Sequence, residues 1–166
     1  MDPLEEARER MTERHGSDLS PFFRVDAECR PIRQFPGIRT LTDLLAVLEQ
    51  TWCRETATPS RQNEWIEEDP SFAQSAITSM LTADLFGATI WRVRTEEGSI
   101  HYFNRLAGSV VDLTREQYDL YDMPIHYGAG REVPREACDR NPETVRRYRL
   151  LQKRIMDYLA GRAERK

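Results

Sequence analysis

The sequence lacks several features that would assign it to a broad class at once. Its 166 residues carry 24 basic and 28 acidic side chains, a net charge of −4, so no basic excess favours binding to nucleic acid. No apolar run approaches the ~18 residues that a membrane-spanning helix needs. The polar, acidic first residues do not resemble a secretory signal. We therefore expect a cytoplasmic protein with neither a membrane nor a nucleic-acid partner.

Cysteine is also scarce in this sequence. The three cysteines are Cys29, Cys53 and Cys138, and their separations match no zinc-binding pattern. An odd number without a secretory signal favours a reduced compartment over a disulfide framework. We expect buried structural thiols, and we expect neither a metal nor an organic cofactor.

The apolar pattern predicts one α+β domain, for which the chain length is sufficient. We divide the chain into a partly irregular extension over 1–40, a domain over 41–160 and a tail over 161–166. Within the domain, helices are predicted over 42–52, 76–86, 114–121 and from Asn141 onward, and a three-strand antiparallel meander over 88–94, 99–105 and 109–113. The helix over 76–86 is apolar on most sides, so we expect it to be central and buried.

The start of that central helix has two interpretations. Asp69-Pro70 is a good cap followed by a first-turn proline, which would place Ser75 inside the helix. Alternatively, residues 69–73 form a turn and Ser75 opens the helix. Only the second arrangement exposes Ser75 to the positive end of the helix dipole.

The second and third predicted strands carry a histidine and an aspartate. If residues 105–108 form a four-residue loop, Asn104 faces Ser109 and His101 lies directly opposite Asp112. Directly paired side chains share a face of the sheet at ~5 Å. Asn104 is a second possible partner of His101, but three residues along a strand its side chain should point to the other face.

Ser75, His101 and Asp112 can together form a hydrolase-type site. A hydroxyl or thiol at a helix start needs a base within hydrogen-bond reach, and the base needs a group that orients it. Ser75 is the candidate nucleophile position, His101 the base and Asp112 the orienting group. The amide of Gln74 could add a donor for an oxyanion.

Three motifs of this region resemble those of the YunG-like family of small bacterial proteins. They are Asp69-Pro70-Ser71-Phe72-Ala73-Gln74-Ser75-Ala76-Ile77-Thr78, His101-Tyr102-Phe103-Asn104 and Asp112-Leu113-Thr114. The resemblance extends from about Leu41 to Leu159 and leaves out the first forty residues. It implies a Cys-His-Asp site and a fold related to papain-like hydrolases, with the cysteine at the position of Ser75.

The sequence departs from the family pattern in two places. Ser75 stands where cysteine is expected, and Ala73 where glycine is common. A hydroxyl does not simply replace a thiol, because a paired thiol ionises readily near neutral pH and a serine does not. Three interpretations stay open: a substitution introduced to inactivate the site, a natural loss of the thiol, and a working serine nucleophile.

The resulting functional hypothesis is a papain-like thiol hydrolase or acyltransferase, here in an inactive Cys-to-Ser form. Its substrate would be a peptide, an amide or a carrier-bound acyl group. Candidate substrate-binding residues are Trp65, Trp91, Asn104, His126 and Tyr127. The alternatives are a binding module that keeps the pocket without the reaction, a metal site of His101, Asp112 and His126, and a domain whose polar residues are all structural. The oligomeric state is left open.

Overall fold

A computed structural model describes residues 1–162, so residues 163–166 of the predicted tail lie outside the described part. The helices are α1 (Pro3–His15), α2 (Leu41–Thr51), α3 (Ser75–Phe86), α4 (Glu116–Asp119), α5 (Arg135–Cys138) and α6 (Pro142–Leu159). The strands are β1 (Thr89–Arg94), β2 (Ile100–Leu106), β3 (Ser109–Val111) and β4 (Arg131–Val133). Short 3-10 helices cover Arg54–Thr56, Pro59–Glu64 and Tyr127–Ala129. The architecture is mixed α+β, as predicted.

The sheet has four antiparallel strands in the order β3-β2-β1-β4, not three. The prediction missed β4, because a three-residue strand of the sequence Arg131-Glu132-Val133 shows no alternation of apolar and polar side chains. Charged residues are typical of short edge strands, which they protect from pairing with other chains. The first three strands follow the predicted meander.

The predicted pairing between β2 and β3 is wrong by two residues. Asn104 pairs with Val111, not Ser109, because the turn consists only of Ala107 and Gly108. Both turn residues have positive φ, 50° and 79°, as a tight type I′ hairpin requires. A shift of two residues keeps each side chain on its face of the sheet. Asp112 therefore lies on the expected face, just beyond the end of β3.

The core lies between the sheet and helices α2, α3 and α6. Its largest fully buried side chains are Trp52, Ile38, Leu41, Leu44, Leu45, Leu48, Ile77, Met80, Leu81, Ile90 and Leu151. Phe103 is also fully buried, but it packs against His101 and Tyr127 on the other face of the sheet. Thr40 and Asp43 form a capping box at the start of α2, and Asn141 caps α6 through its side-chain oxygen. Of the three predicted structural thiols, Cys29 and Cys53 are buried and Cys138 is half-buried.

The first forty residues contribute to this core. Helix α1 packs on α2 with Leu4, Ala7 and Met11 buried, the three residues of its sparse apolar stripe. Further along, the carbonyl of Phe22 accepts the backbone N–H of Asp112 at 2.8 Å, and residue 23 bridges to residue 111. The N-terminal extension thus extends the sheet edge beside Asp112.

Helix α3 begins at Ser75, which decides between the two predicted starts. The turn before it closes through the N–H of Gln74 and the carbonyl of Ser71, and Ala73 has a φ of 58°. A left-handed residue cannot continue an α-helix, so the chain enters α3 only after it. Asp69-Pro70 belongs to this turn and does not start the helix.

Helix α4 starts two residues later than predicted. The sequence Thr114-Arg115-Glu116-Gln117 has the pattern of a capping box, but that box does not form. The hydroxyl of Thr114 bonds Asp112, and no side chain caps the helix. Gln117 instead donates to the carbonyl of Thr114 and accepts the N–H of Ala73. Both capping side chains therefore brace the segments that carry Ser75 and Asp112. Among the described residues, no helix is both long and apolar enough to cross a membrane.

Candidate active site

The structure joins His101 to Asp112 in a buried pair. Nε2 of His101 lies 2.6 Å from Oδ2 of Asp112, and the two side chains are 0% and 1% exposed. The other carboxylate oxygen accepts the N–H and the hydroxyl of Thr114, at 3.3 and 3.4 Å. Burial of a carboxylate is costly unless hydrogen bonds satisfy it, and these contacts supply them.

The pairing also determines which nitrogen of His101 is free. Since the carboxylate is an acceptor, Nε2 carries the proton, and in the neutral ring Nδ1 keeps its lone pair. Nδ1 is buried and has no hydrogen-bond partner among residues 1–162. The ring is held in place by Phe103, stacked at 6.4 Å, and by Tyr118, edge-on at 4.7 Å. His101 is therefore a fixed ring with one unused acceptor.

Ser75 contacts the residue that follows this histidine in β2. It is the first residue of α3 and half-buried, and its hydroxyl oxygen accepts the backbone N–H of Tyr102 at 3.2 Å. Tyr102 follows His101 in β2 and lies beyond the last residue pair with β3. Ser75 thus approaches β2 at an edge that β3 leaves open. The described residues include no hydrogen bond between the hydroxyl of Ser75 and Nδ1 of His101.

The helix start around Ser75 offers unpaired donors. The first N–H groups of an α-helix have no acceptor within the helix, and no side chain caps α3. Such groups, at the positive end of the helix dipole, favour a negatively charged oxygen. The arrangement can therefore stabilise an oxyanion formed beside residue 75.

Gln74, the predicted side-chain donor for an oxyanion, is fully buried. Its amide nitrogen donates to the carbonyl of Cys53 at 2.9 Å, and its side-chain oxygen has no partner among the described residues. The side chain thus ties the start of α3 to the segment after α2. The backbone of α3 is better placed to supply oxyanion donors.

Asn104 and Trp91 occupy opposite faces of the sheet. The amide of Asn104 donates to the carbonyls of Ser79 and Thr89, at 3.0 and 3.1 Å, so it points to α3 and away from His101 as predicted. Trp91 pairs with Phe103 in the sheet, and the guanidinium of Arg105 lies 4.7 Å from its ring centre.

Trp65 packs on the turn that precedes Ser75, and His126 lies at the surface. Trp65 is 5% exposed, donates to the carbonyl of Pro70 and lines a surface cavity of about 330 Å³. His126 is exposed and faces Glu96 at 3.2 Å. The structure therefore does not gather the suggested metal ligands His101, Asp112 and His126.

Tyr127 reaches the site from the loop before β4. Its hydroxyl donates to Oδ2 of Asp112 at 2.6 Å and accepts Nη1 of Arg115 at 3.1 Å. Burial and the charge of Asp112 raise the pKa of Tyr127 well above its usual range. The phenol therefore remains protonated and contacts the orienting carboxylate.

A second histidine cluster joins α1 to the rest of the domain, and sequence spacing gave no signal for it. His15 faces Glu49 at 2.5 Å and Glu116 at 3.6 Å, and Arg14 holds Glu116 at 2.6 Å. Although burial lowers the pKa of His15, the hydrogen bond and charge of Glu49 raise it overall. These three residues, His15, Glu49 and Glu116, have a spacing that could hold a metal ion, but each already has an oppositely charged partner.

The fold and these contacts define an α+β protein in which a helix-start serine contacts the strand that carries the histidine of a buried histidine–aspartate pair. Residues 40–160 match the model of the family described as YunG protein, and the chain belongs to this family. It is 37% identical over 81 residues to the uncharacterized protein YunG of Bacillus subtilis (strain 168). That match covers 49% of this chain and 63% of the relative, so less than two thirds of the relative is spanned. No solved structure matches the chain.

Proposed function

We propose that the protein carries an acyl-transfer site of the papain-like kind, built for a thiol at position 75 and occupied here by Ser75. The observation that carries this proposal is the buried pair of His101 and Asp112, whose Nδ1 has no partner among the described residues, together with the contact of Ser75 with the backbone of the next residue, Tyr102. A purely structural pair does not need an unpaired ring nitrogen, since leaving a buried acceptor unsatisfied costs ~1–3 kcal/mol. On this proposal, a thiol at position 75 would supply that partner through a contact that the hydroxyl of Ser75 does not make.

The chemistry follows from these positions. Nδ1 of His101 accepts the proton of the residue-75 nucleophile, whose sulfur or oxygen forms a bond to the carbonyl carbon of an amide, ester or thioester. The carbonyl oxygen becomes an oxyanion beside the first N–H groups of α3. The intermediate collapses, the bond to the leaving group breaks, and His101 returns the proton to that group. Water or an acceptor nucleophile then releases the acyl group by the same steps.

A serine at position 75 should give this chain much lower acyl-transfer activity than a cysteine would. The thiolate is the reactive form of cysteine, and a neighbouring imidazolium stabilises it. A serine hydroxyl must instead lose its proton during the attack, which requires a direct hydrogen bond to the base. The hydroxyl of Ser75 accepts the N–H of Tyr102 and is not bonded to His101. We therefore expect weak or no hydrolysis by the chain with Ser75.

The contact between Ser75 and Tyr102 also favours a second candidate, a binding module on the same fold. If the hydroxyl is held by the backbone for structural reasons, the pocket can bind an acyl or amide group without reacting with it. The two candidates differ in what a thiol at position 75 would do.

The test is the rate at which Ser75→Cys reacts with iodoacetamide across pH, with and without His101→Ala. The labelled position is read by peptide mass, because Cys29, Cys53 and Cys138 are also present. Burial raises the pKa of Cys29 and Cys138, so these thiols should react slowly in acid. Fast labelling at position 75 well below pH ~8.5, lost with His101→Ala, supports the acyl-transfer site. Labelling that is slow and independent of His101 supports the binding module.

A further inference from the structure

We propose that Tyr127, with its hydroxyl oriented by Arg115, is a positioning residue that fixes the carboxylate of Asp112 against His101. The proposal rests on the acyl-transfer site proposed above and adds a fourth and a fifth residue to it. It also gives Tyr127 a role different from the one expected from sequence, in which this loop lines a substrate cleft.

The direction of the hydrogen bond follows from the contacts of the hydroxyl. Arg115 can only donate, and its Nη1 lies 3.1 Å from the oxygen of Tyr127. The hydroxyl must therefore point its own hydrogen at Oδ2 of Asp112, 2.6 Å away. The raised pKa of Tyr127 has the same consequence, because the phenol keeps that hydrogen.

The hydrogen bond is placed where it controls the rotation of the carboxylate. Oδ2 of Asp112 accepts both Tyr127 and Nε2 of His101, each at 2.6 Å, whereas Oδ1 has only the longer bonds from Thr114. Without the phenol, one strong donor to Oδ2 is lost, and the remaining bonds leave the carboxylate freer to turn. The ring nitrogen of His101 would then lose its fixed partner.

The loop that carries Tyr127 is itself built to hold the ring still. Its ring packs edge-on against Phe103 at 4.8 Å, and Arg115 lies 5.6 Å from the ring centre. Gly130 closes the loop so tightly that an added Cβ would lie 3.0 Å from the ring of Phe103. The other groups that face the pair are Tyr118, edge-on to His101, and Thr114. Among these contacts, Tyr127 connects Asp112 to a cation.

The first experiment compares Tyr127→Phe with its parent in the Ser75→Cys background. At about pH 6 we expect labelling at position 75 to slow about tenfold, the factor that ~1.4 kcal/mol represents. The two rates should converge above pH ~8.5, where a free thiol ionises without help. In a His101→Ala background, Tyr127→Phe should change nothing, because the residue acts through His101. Tyr121→Phe, at a side chain that is 60% exposed, is the matched control.

A second experiment separates failure of this proposal from failure of the acyl-transfer site. Nitrogen NMR of the imidazole in the chain with Ser75 should show His101 protonated at Nε2. Tyr127→Phe should move the chemical shifts of both ring nitrogens toward those of a mixture of tautomers. If Tyr127→Phe does not fold, Arg115→Met is used instead, because it leaves the phenol in place but removes its orienting donor. This variant should change the nitrogen chemical shifts of His101 in the same direction. A histidine spectrum unchanged in these variants overturns the positioning role, whatever the thiol at position 75 does. If Tyr127→Phe abolishes labelling at every pH, and does so in the His101→Ala background too, then Tyr127 only supports the fold. That result also overturns the positioning role.

Discussion

Asp69 should make the protein less stable as the pH rises through about 6. This carboxyl is 3% exposed, and one of its oxygens is buried without a partner among the described residues. Burial raises its pKa to about 6, with the charge of Glu116 adding to the effect and that of Arg14 opposing it. It lies in the turn that leads to Ser75, so its ionisation strains the segment that carries the candidate nucleophile position.

The sign and size of the effect follow from proton linkage. In the unfolded chain an aspartate ionises near pH ~3.9. Between that value and about 6 the folded protein keeps a proton that the unfolded chain has lost, so the free energy of unfolding falls as the pH rises. A difference of about two pKa units amounts to ~3 kcal/mol at most. Relaxation and water entry should reduce this to ~1–2 kcal/mol.

The assay is urea unfolding of Asp69→Asn and its parent between about pH 4.5 and 7.5. Asparagine keeps the shape of aspartate but does not titrate. The free energy of unfolding of the variant, relative to that of the parent, should therefore increase by ~1–2 kcal/mol over this range. Glu67→Gln, an exposed neighbour, is the matched control and should show no such trend. The contributions of His15 and Glu49 are common to both proteins and largely cancel. A stability difference that is constant with pH, or that shrinks, refutes the reasoning.

Three further predictions concern the supports of the site, and urea unfolding measures each free energy. Ala73→Gly should stabilise the fold by ~0.5–1 kcal/mol, because glycine adopts the positive φ of this turn without strain, whereas Ala83→Gly in the interior of α3 should cost ~1 kcal/mol. Equal effects at the two sites would contradict this. Asp112→Ala should cost ~1–3 kcal/mol, since it leaves the buried N–H at Nε2 of His101 without its acceptor, and an unchanged stability would count against this hydrogen bond. Gln117→Leu should cost ~1–3 kcal/mol by leaving the N–H of Ala73 unpaired, and an unchanged stability would show that this brace is dispensable.

Much of the architecture could be predicted from the sequence because the signals are local. The apolar stripes of α2 and α6 and the apolar run of α3 lie within single segments, as do the capping residues Thr40 and Asn141. Strand β4 was missed because its three residues, two charged and one apolar, are too few to show the alternation of a strand. The hairpin pairing was wrong because turn length depends on whether Ala107 adopts a positive φ, which residue type does not determine.

The site was predictable only in part, for a physical reason. His101 and Asp112 could be brought together because alternation along strands fixes the face, even though the pairing was shifted by two residues. Tyr127 and Gln117 act through contacts between segments far apart in sequence, and nothing in their local pattern shows those contacts. The local pattern at Gln117 favours a helix cap instead of the contact with Ala73 that it makes, because a glutamine side chain can serve in either role. The family resemblance located Ser75, and the structure placed it at the start of α3.

The most direct test of the acyl-transfer site is acyl-enzyme formation by Ser75→Cys. The variant, the parent and Ser75→Cys with His101→Ala are each mixed with p-nitrophenyl acetate, and both the nitrophenolate released and the intact mass are recorded. The account predicts a burst of about one nitrophenolate per protein, with the acetyl group on the peptide of residue 75, only in Ser75→Cys with His101 intact. Equal acetylation with and without His101, or acetylation at the other cysteines alone, would contradict it.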